Sequence, residues 1–90
     1  MIKIIIKIQN TLGIHARPAG MIANTASEFE CDIKIVKDSF EINAKSIMGI
    51  MMLAAGYGTE IELITNGRDE KDASQAINSL FEKKFDEDEV

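Results

Sequence analysis

Isoleucine stands at positions 2, 4, 6 and 8 with Lys3, Ile5 and Lys7 between, so the chain opens with the period-two pattern of a strand that buries one face. A turn over residues 10–13 changes the period. Ala19, Ile22, Ala23 and Ala26 then recur at i, i+3, i+4 and i+7 and Phe29 extends the stripe, which predicts a helix over roughly residues 16–28. Alternation returns over residues 32–37 and 40–43, divided by Asp38-Ser39, and predicts a hairpin of two short strands. Ser46 is placed as the N-cap of a second, short helix with the stripe Ile47, Ile50, Met51 and Ala54, ending before Gly56-Tyr57-Gly58. Ile61 and Leu63, set between Glu60 and Glu62, mark a fourth strand closed by the Asn66-Gly67 turn. The last stripe, Ala73, Ala76, Ile77, Leu80 and Phe81, belongs to a helix that starts near Asp69, where Asp69, Glu70 and Asp72 suit the positive end of the dipole.

The order is βαββαβα, with one polar face per strand and one apolar face per helix. Such elements pack most economically as α+β in two layers, a mostly antiparallel four-stranded sheet with three helices over one side. Residues 1–90 read as a single domain without internal repeat, linker or low-complexity segment. The end from Phe85, with its acidic run over residues 86–89, reads as a frayed and solvated tail.

Composition narrows the function classes. A core of this size leaves no room for a cleft between lobes, so function belongs on the surface. Apolar residues at 46% with 28% charged describe an ordinary globular chain. A net charge of −5 with dispersed Lys and Arg argues against a nucleic-acid partner and toward partners with basic or apolar patches. The single Cys31 forms no internal disulfide, fits a reducing cytoplasm, and reads as structural. The apolar start is interrupted by Lys3 and Lys7 and is too short for membrane insertion.

The candidate chemistry lies in Gly13-Ile14-His15-Ala16-Arg17-Pro18-Ala19, which gathers the only histidine, one of two arginines and the only proline at the start of the first helix. Proline in a first turn removes no needed donor, and the N–H groups there can hold a phosphate or carboxylate. A neutral imidazole is a nucleophile near pH 7, and an arginine two residues on can clamp phosphoryl oxygens. These residues make His15 a candidate phosphoryl acceptor, although a histidine at a helix start can equally cap or pack. Ser46 is a plain N-cap or a phosphate acceptor at a tolerant helix start. Met48, Met52 and Ala55 widen the apolar arc of the second helix beyond what one sheet needs, as on a partly exposed docking surface. One histidine and one cysteine far apart supply no metal-ligand cluster, and no base–orienter pair accompanies His15 for hydrolysis.

GIHARPA at 13–19 together with KSIMGIMML at 45–53, in register within this element order, resembles the HPr family, the histidine phosphocarriers of the sugar phosphotransferase system. The resemblance covers nearly the whole chain and is nearest to the Gram-positive type with a regulatory serine. It implies an open-faced β-sandwich with sheet order 1-4-2-3, acting as a monomer without cofactor or metal. It implies that His15 takes a phosphoryl group on Nδ1 from phosphorylated Enzyme I and passes it to Enzyme IIA domains, a carrier's role that depends on partner enzymes. Arg17 then steadies the phosphoryl oxygens. Ser46 becomes the target of the ATP-dependent HPr kinase/phosphorylase, and the seryl-phosphorylated form binds the catabolite repressor protein. Ala16, Gly20, Met21, Ile47, Met48 and Met51 match the family's docking patch. A branch of the family acts only as a corepressor and has lost the histidine, whereas His15 is present here. Leu12 stands where many relatives carry asparagine or serine. Gly20 replaces the more usual alanine or threonine, at a cost to the helix of about 1 kcal/mol.

Overall fold

In the computed structural model, which describes residues 1–86, the chain forms one antiparallel four-stranded sheet in the order β1-β4-β2-β3. The strands are β1 (Ile2–Lys7), β2 (Asp32–Lys37), β3 (Phe40–Asn43) and β4 (Glu60–Asn66). Their register follows from the alternation. Ile6 pairs with Ile61 and Ile4 with Leu63, and Ile35 sits between Leu63 and Ile42, so one face carries Ile6, Ile61, Leu63, Ile33, Ile35 and Ile42 into the core. Asp38 and Ser39 both take positive φ (50° and 69°), the twist that a two-residue hairpin turn requires.

Three helices cover that face among the described residues: α1 (Ala16–Ala26), α2 (Ile47–Met52) and α3 (Glu70–Glu82). None is long and apolar enough to cross a membrane. The stripe read on α1 is buried at Ala19, Ile22, Ala23 and Ala26, with Phe29 partly buried beyond the helix end. On α3, Ala73, Ile77 and Phe81 are buried and Leu80 packs partly against the core.

Two expectations need correction. The stripe proposed for the second helix is not its core face: Ile50 is buried, but Ile47, Met51 and Ala54 are exposed, and the inward residues past the helix are Leu53 and Ala55. The helix stops after Met52, and Ala54 turns into the left-handed region at φ 50°. Lys37 stabilises that stop, its Nζ donating to the carbonyls of Leu53 (3.0 Å) and Ala54 (3.4 Å) at the negative end of the helix. The second correction concerns the tail. A short 3-10 turn (Lys84–Asp86) follows α3, and Phe85 is fully buried, its ring edge-on to Phe81 at 4.9 Å. The rest of the acidic end lies outside the described residues.

Asp69 stands at the N-cap position of α3 yet caps nothing there with its side chain. Its carboxylate instead accepts the backbone N–H groups of Glu30 and Cys31, both at 2.9 Å, fastening the entry of β2 to the start of α3. The Glu30 N–H, together with bonds from Cys31, holds the Asp69 carboxyl below the usual carboxylate range. A depressed carboxyl stabilises the fold fully above its unfolded value, about pH 4, and that contribution fades as pH falls through the folded value. Asp69→Ala is therefore expected to lower the unfolding midpoint at pH 7 and to differ less from the parent as pH drops below about 4 in thermal melts. A gap that stays constant to pH 2 would remove the carboxylate from this role. Burial first, and the Asp69 carboxylate next, push the Cys31 thiol up to about 11, so it is an inert, structural sulfur at neutral pH.

Candidate functional site

The loop ahead of α1 is tied down by backbone geometry. Gly13 takes φ +71°, and a Cβ there would stand 2.8 Å from both the Ala55 carbonyl oxygen and the Gly56 Cα. This close approach lets the Ile14 N–H donate to Ala55 O at 2.9 Å, joining the loop to the segment after α2. Buried Asn10 closes the other side, its Nδ2 donating to Gly13 O at 2.6 Å. His15 leaves this braced loop as the extended N-cap of α1, half-buried, with no side-chain capping bond. Its carbonyl accepts the first helical bond, from the Ala19 N–H at 3.0 Å, so the N–H groups of Ala16 and Arg17 lie ahead of the helical ladder. Pro18, buried in the first turn, adds no donor. An imidazole thus stands at the positive end of an 11-residue helix, the electrostatic setting for an anion.

Arg17 is exposed, and its Nη1 donates to the carbonyl of Phe85 at 2.8 Å, a contact between residues 68 apart in sequence. Sequence reasoning missed this partner and missed Asn10. The turn residues around Asn10 were visible as a turn, but nothing in the pattern shows a polar side chain folded inward.

Ser46 is the N-cap of α2, as read from the sequence. Its Oγ accepts the Gly49 N–H at 3.0 Å, and its carbonyl takes the Ile50 N–H at 3.0 Å. Asn43 presents the residue: its carbonyl accepts the Ser46 N–H and its Oδ1 accepts the Lys45 N–H.

The two helices pack together and run in opposite directions, because the entry to α1 meets the segment after α2 at Ala55, while Lys45 ahead of α2 donates to Phe29 O just past α1 (2.7 Å). His15 and Ser46 therefore lie toward opposite ends of the helix pair. Apolar side chains remain uncovered along it: Met48 is 75% exposed, Met52 67%, Met51 45% and Ile47 44%. The partial exposure expected of this helix holds. Of the other residues assigned to the patch, Ala16 is exposed, Gly20 is half-buried with open space where a Cβ would stand, and Met21 leans partly into the core.

Charge is segregated in the same way. Residues 8–27 and 42–59 contain none of the 15 Asp and Glu residues and contribute only Arg17 and Lys45 as fixed charges. The overall net charge of −5 is therefore unevenly spread along the sequence, and the two segments that carry His15 and Ser46 have a mild positive balance. Of the partner surfaces expected from net charge, basic or apolar, the exposed methionines of this face fit the apolar kind.

A half-buried histidine at an anion-favouring helix start, on the surface of a two-layer open-faced sandwich, is the placement expected of a protein that presents a group to partners. Comparison with known proteins carries this to a family. The family described as "PTS HPr component phosphorylation site" matches residues 2–83. The chain is 48% identical over 83 residues to the phosphocarrier protein HPr of Treponema pallidum, covering 92% of this chain and 94% of that protein. The crystal structure of HPr-C-His from Thermoanaerobacter tengcongensis superposes with a TM-score of 0.94 at 44% identity, over 99% of this chain and 100% of that one. The solution structure of Crh, the Bacillus subtilis catabolite repression HPr, gives a TM-score of 0.66 at 35% identity, over 99% and 100%. The chain belongs to the HPr family of phosphocarrier proteins, carriers rather than catalysts, and its β1-β4-β2-β3 sheet under three helices is the fold of that family.

Proposed function

We propose that this chain shuttles phosphoryl groups from phosphorylated Enzyme I to Enzyme IIA domains through Nδ1 of His15. The observation that carries the reading is the braced, half-exposed His15 at the start of α1, which a carrier can offer to two proteins in turn. In the transfer, the Nδ1 lone pair forms the bond to phosphorus while the bond to the donor breaks and its electron pair leaves with the donor. The dianion then sits at the helix start, where the dipole and the Arg17 guanidinium favour it. Ala16, Gly20, Met21, Ile47, Met48 and Met51 form the docking surface, and its exposed Met48, Met51 and Ile47 suit partner faces that are apolar as well. The carrier acts in the cytoplasm as a monomer.

Ser46 is a regulatory acceptor for the ATP-dependent HPr kinase/phosphorylase, and its phosphorylated form is recognised by the catabolite repressor protein. The likeness to Crh, described as a catabolite repression HPr, supports this second role beside the first. A module acting through Ser46 alone would have no use for a histidine and arginine at a braced helix start. Two labels separate the roles. Phosphoenolpyruvate with Enzyme I should give an acid-labile adduct that maps to His15. ATP with the kinase should give an acid-stable one that is lost in Ser46→Ala; persistence of that label in the variant would refute the regulatory assignment.

A further inference from the structure

We propose that Met48, Met51 and Met52 of α2 form a reversible oxidation site, at which conversion of the thioethers to sulfoxides weakens partner docking. The proposal rests on the reading of this helix as the docking surface.

The sulfur atoms of the chain, five methionines and one cysteine, divide by access. Cys31 is the side chain that would ordinarily answer a peroxide first, but it is buried and its thiol is pushed up to about 11, so it offers almost no thiolate at neutral pH. Met21 leans against the core. Met48 and Met52, by contrast, are 75% and 67% exposed, and Met51 is 45% exposed. These three lie one helical turn or less apart, at i, i+3 and i+4, and so share one face of α2, whose buried residue is Ile50. Met1 is as open as Met52 but stands elsewhere: its ammonium pairs with Glu70 at the start of α3, and β1 runs along the sheet edge opposite β3, against which α2 packs. Oxidisable sulfur is thus withheld where it would harm the core and concentrated where partners are read to sit.

The step balances with a hydroperoxide as oxidant. A sulfur lone pair takes one peroxide oxygen, the O–O bond breaks, the proton on the transferred oxygen passes to the departing hydroxide, and water leaves; the thioether is oxidised and the peroxide reduced. The return needs a dithiol-dependent sulfoxide reductase, one for each epimer at sulfur, which forms a disulfide and releases the oxygen as water. At the surface the change is large. A flexible apolar side chain that adapts to several partners becomes polar and chiral. An apolar partner face offers the new oxygen no donor, so docking buries an unpaired acceptor and loses affinity. The sulfurs take no part in the bond to phosphorus, so the loss falls on binding and not on the transfer to His15.

The test uses the full-length chain with hydrogen peroxide as the probe, and compares each protein with its own untreated form. Peptide mass spectrometry should find oxygen on Met1, Met48 and Met52 first, on Met51 next and on Met21 last. With phosphoenolpyruvate and Enzyme I, KM for the treated carrier should rise about tenfold while kcat stays within about twofold. Incubation with both reductases and dithiothreitol should bring KM back. In the variant carrying Met48→Leu, Met51→Leu and Met52→Leu together, peroxide should still oxidise Met1 yet leave that variant's own KM within about twofold. Circular dichroism should show the native fold in every treated sample at the assay temperature. Sulfoxides at Met48 and Met52 with KM unchanged, an equal rise in the triple variant, oxidation of Met21 ahead of Met48, or a rise in KM only where the fold is lost would each overturn the proposal. An untreated parent that takes no label at His15 would overturn the carrier reading itself, and this proposal with it.

Discussion

His15→Ala is expected to abolish the acid-labile label from phosphoenolpyruvate and Enzyme I while leaving the fold in place. The histidine is chemically central yet structurally dispensable in one specific sense: it stands at the N-cap and provides no side-chain cap to α1. Alanine at the same place withholds a cap equally, so helix formation loses nothing on that account. The loop is braced by Gly13, Ile14 and Asn10, none of which is changed. The unfolding midpoint should stay within about 5 °C of the parent, the equivalent of about 1 kcal/mol for a chain of this size. Labelling should fall to background under the same conditions; mass spectrometry at neutral and low pH reads the label and its acid lability, and a circular-dichroism melt reads the midpoint. A variant that labels like the parent would place the acceptor elsewhere.

Gly13→Ala should be strongly destabilising for a single added methyl. Alanine at φ +71° carries the left-handed penalty, and its Cβ would meet backbone, the Ala55 oxygen and the Gly56 Cα, at 2.8 Å. Backbone cannot rotate aside, so the loop has to move and the Ile14 to Ala55 hydrogen bond is stretched or lost. Together these cost about 2–4 kcal/mol, or roughly 10–20 °C in the midpoint. Gly58 provides the matched control: its φ is +83°, but a Cβ there meets nothing within 4 Å. Gly58→Ala should therefore show the conformational penalty alone, about 1 kcal/mol. Equal losses in the two variants would show that the close approach at Ala55 is immaterial. Because the Gly13 loop leads directly to His15, its variant should also label more slowly than Gly58→Ala at a temperature where both are folded.

These predictions draw on features of unequal legibility. Strands and the β2–β3 hairpin could be read because one-sided burial writes itself as alternation, and Asp38-Ser39 interrupts it with turn residues. His15 and Ser46 could be read because helix starts have local rules. The core face of α2 could not, since a six-residue helix carries too few turns to fix a face and its end depends on Lys37 reaching across from β2. Phe85 was masked by its neighbours: a lone aromatic before an acidic run has the composition of a solvated tail, and only the assembled core supplies its slot beside Phe81. Arg17 illustrates the general limit. Its place two residues after His15 was plain, whereas its partner lies at the far end of the chain.

The opposed directions of α1 and α2 have a bearing on how one small surface could carry two messages. The strip between His15 and Ser46 is about the length of α1, roughly 17 Å at 1.5 Å per residue. Ionic screening at physiological salt acts over about 8 Å, so a dianion at one end is nearly invisible to the chemistry at the other. Any partner broad enough to lie along the uncovered methionines, however, meets both ends at once. If Ser46 carries a charge as proposed, its first effect would be on which proteins can sit over this face, which would make the face an address label.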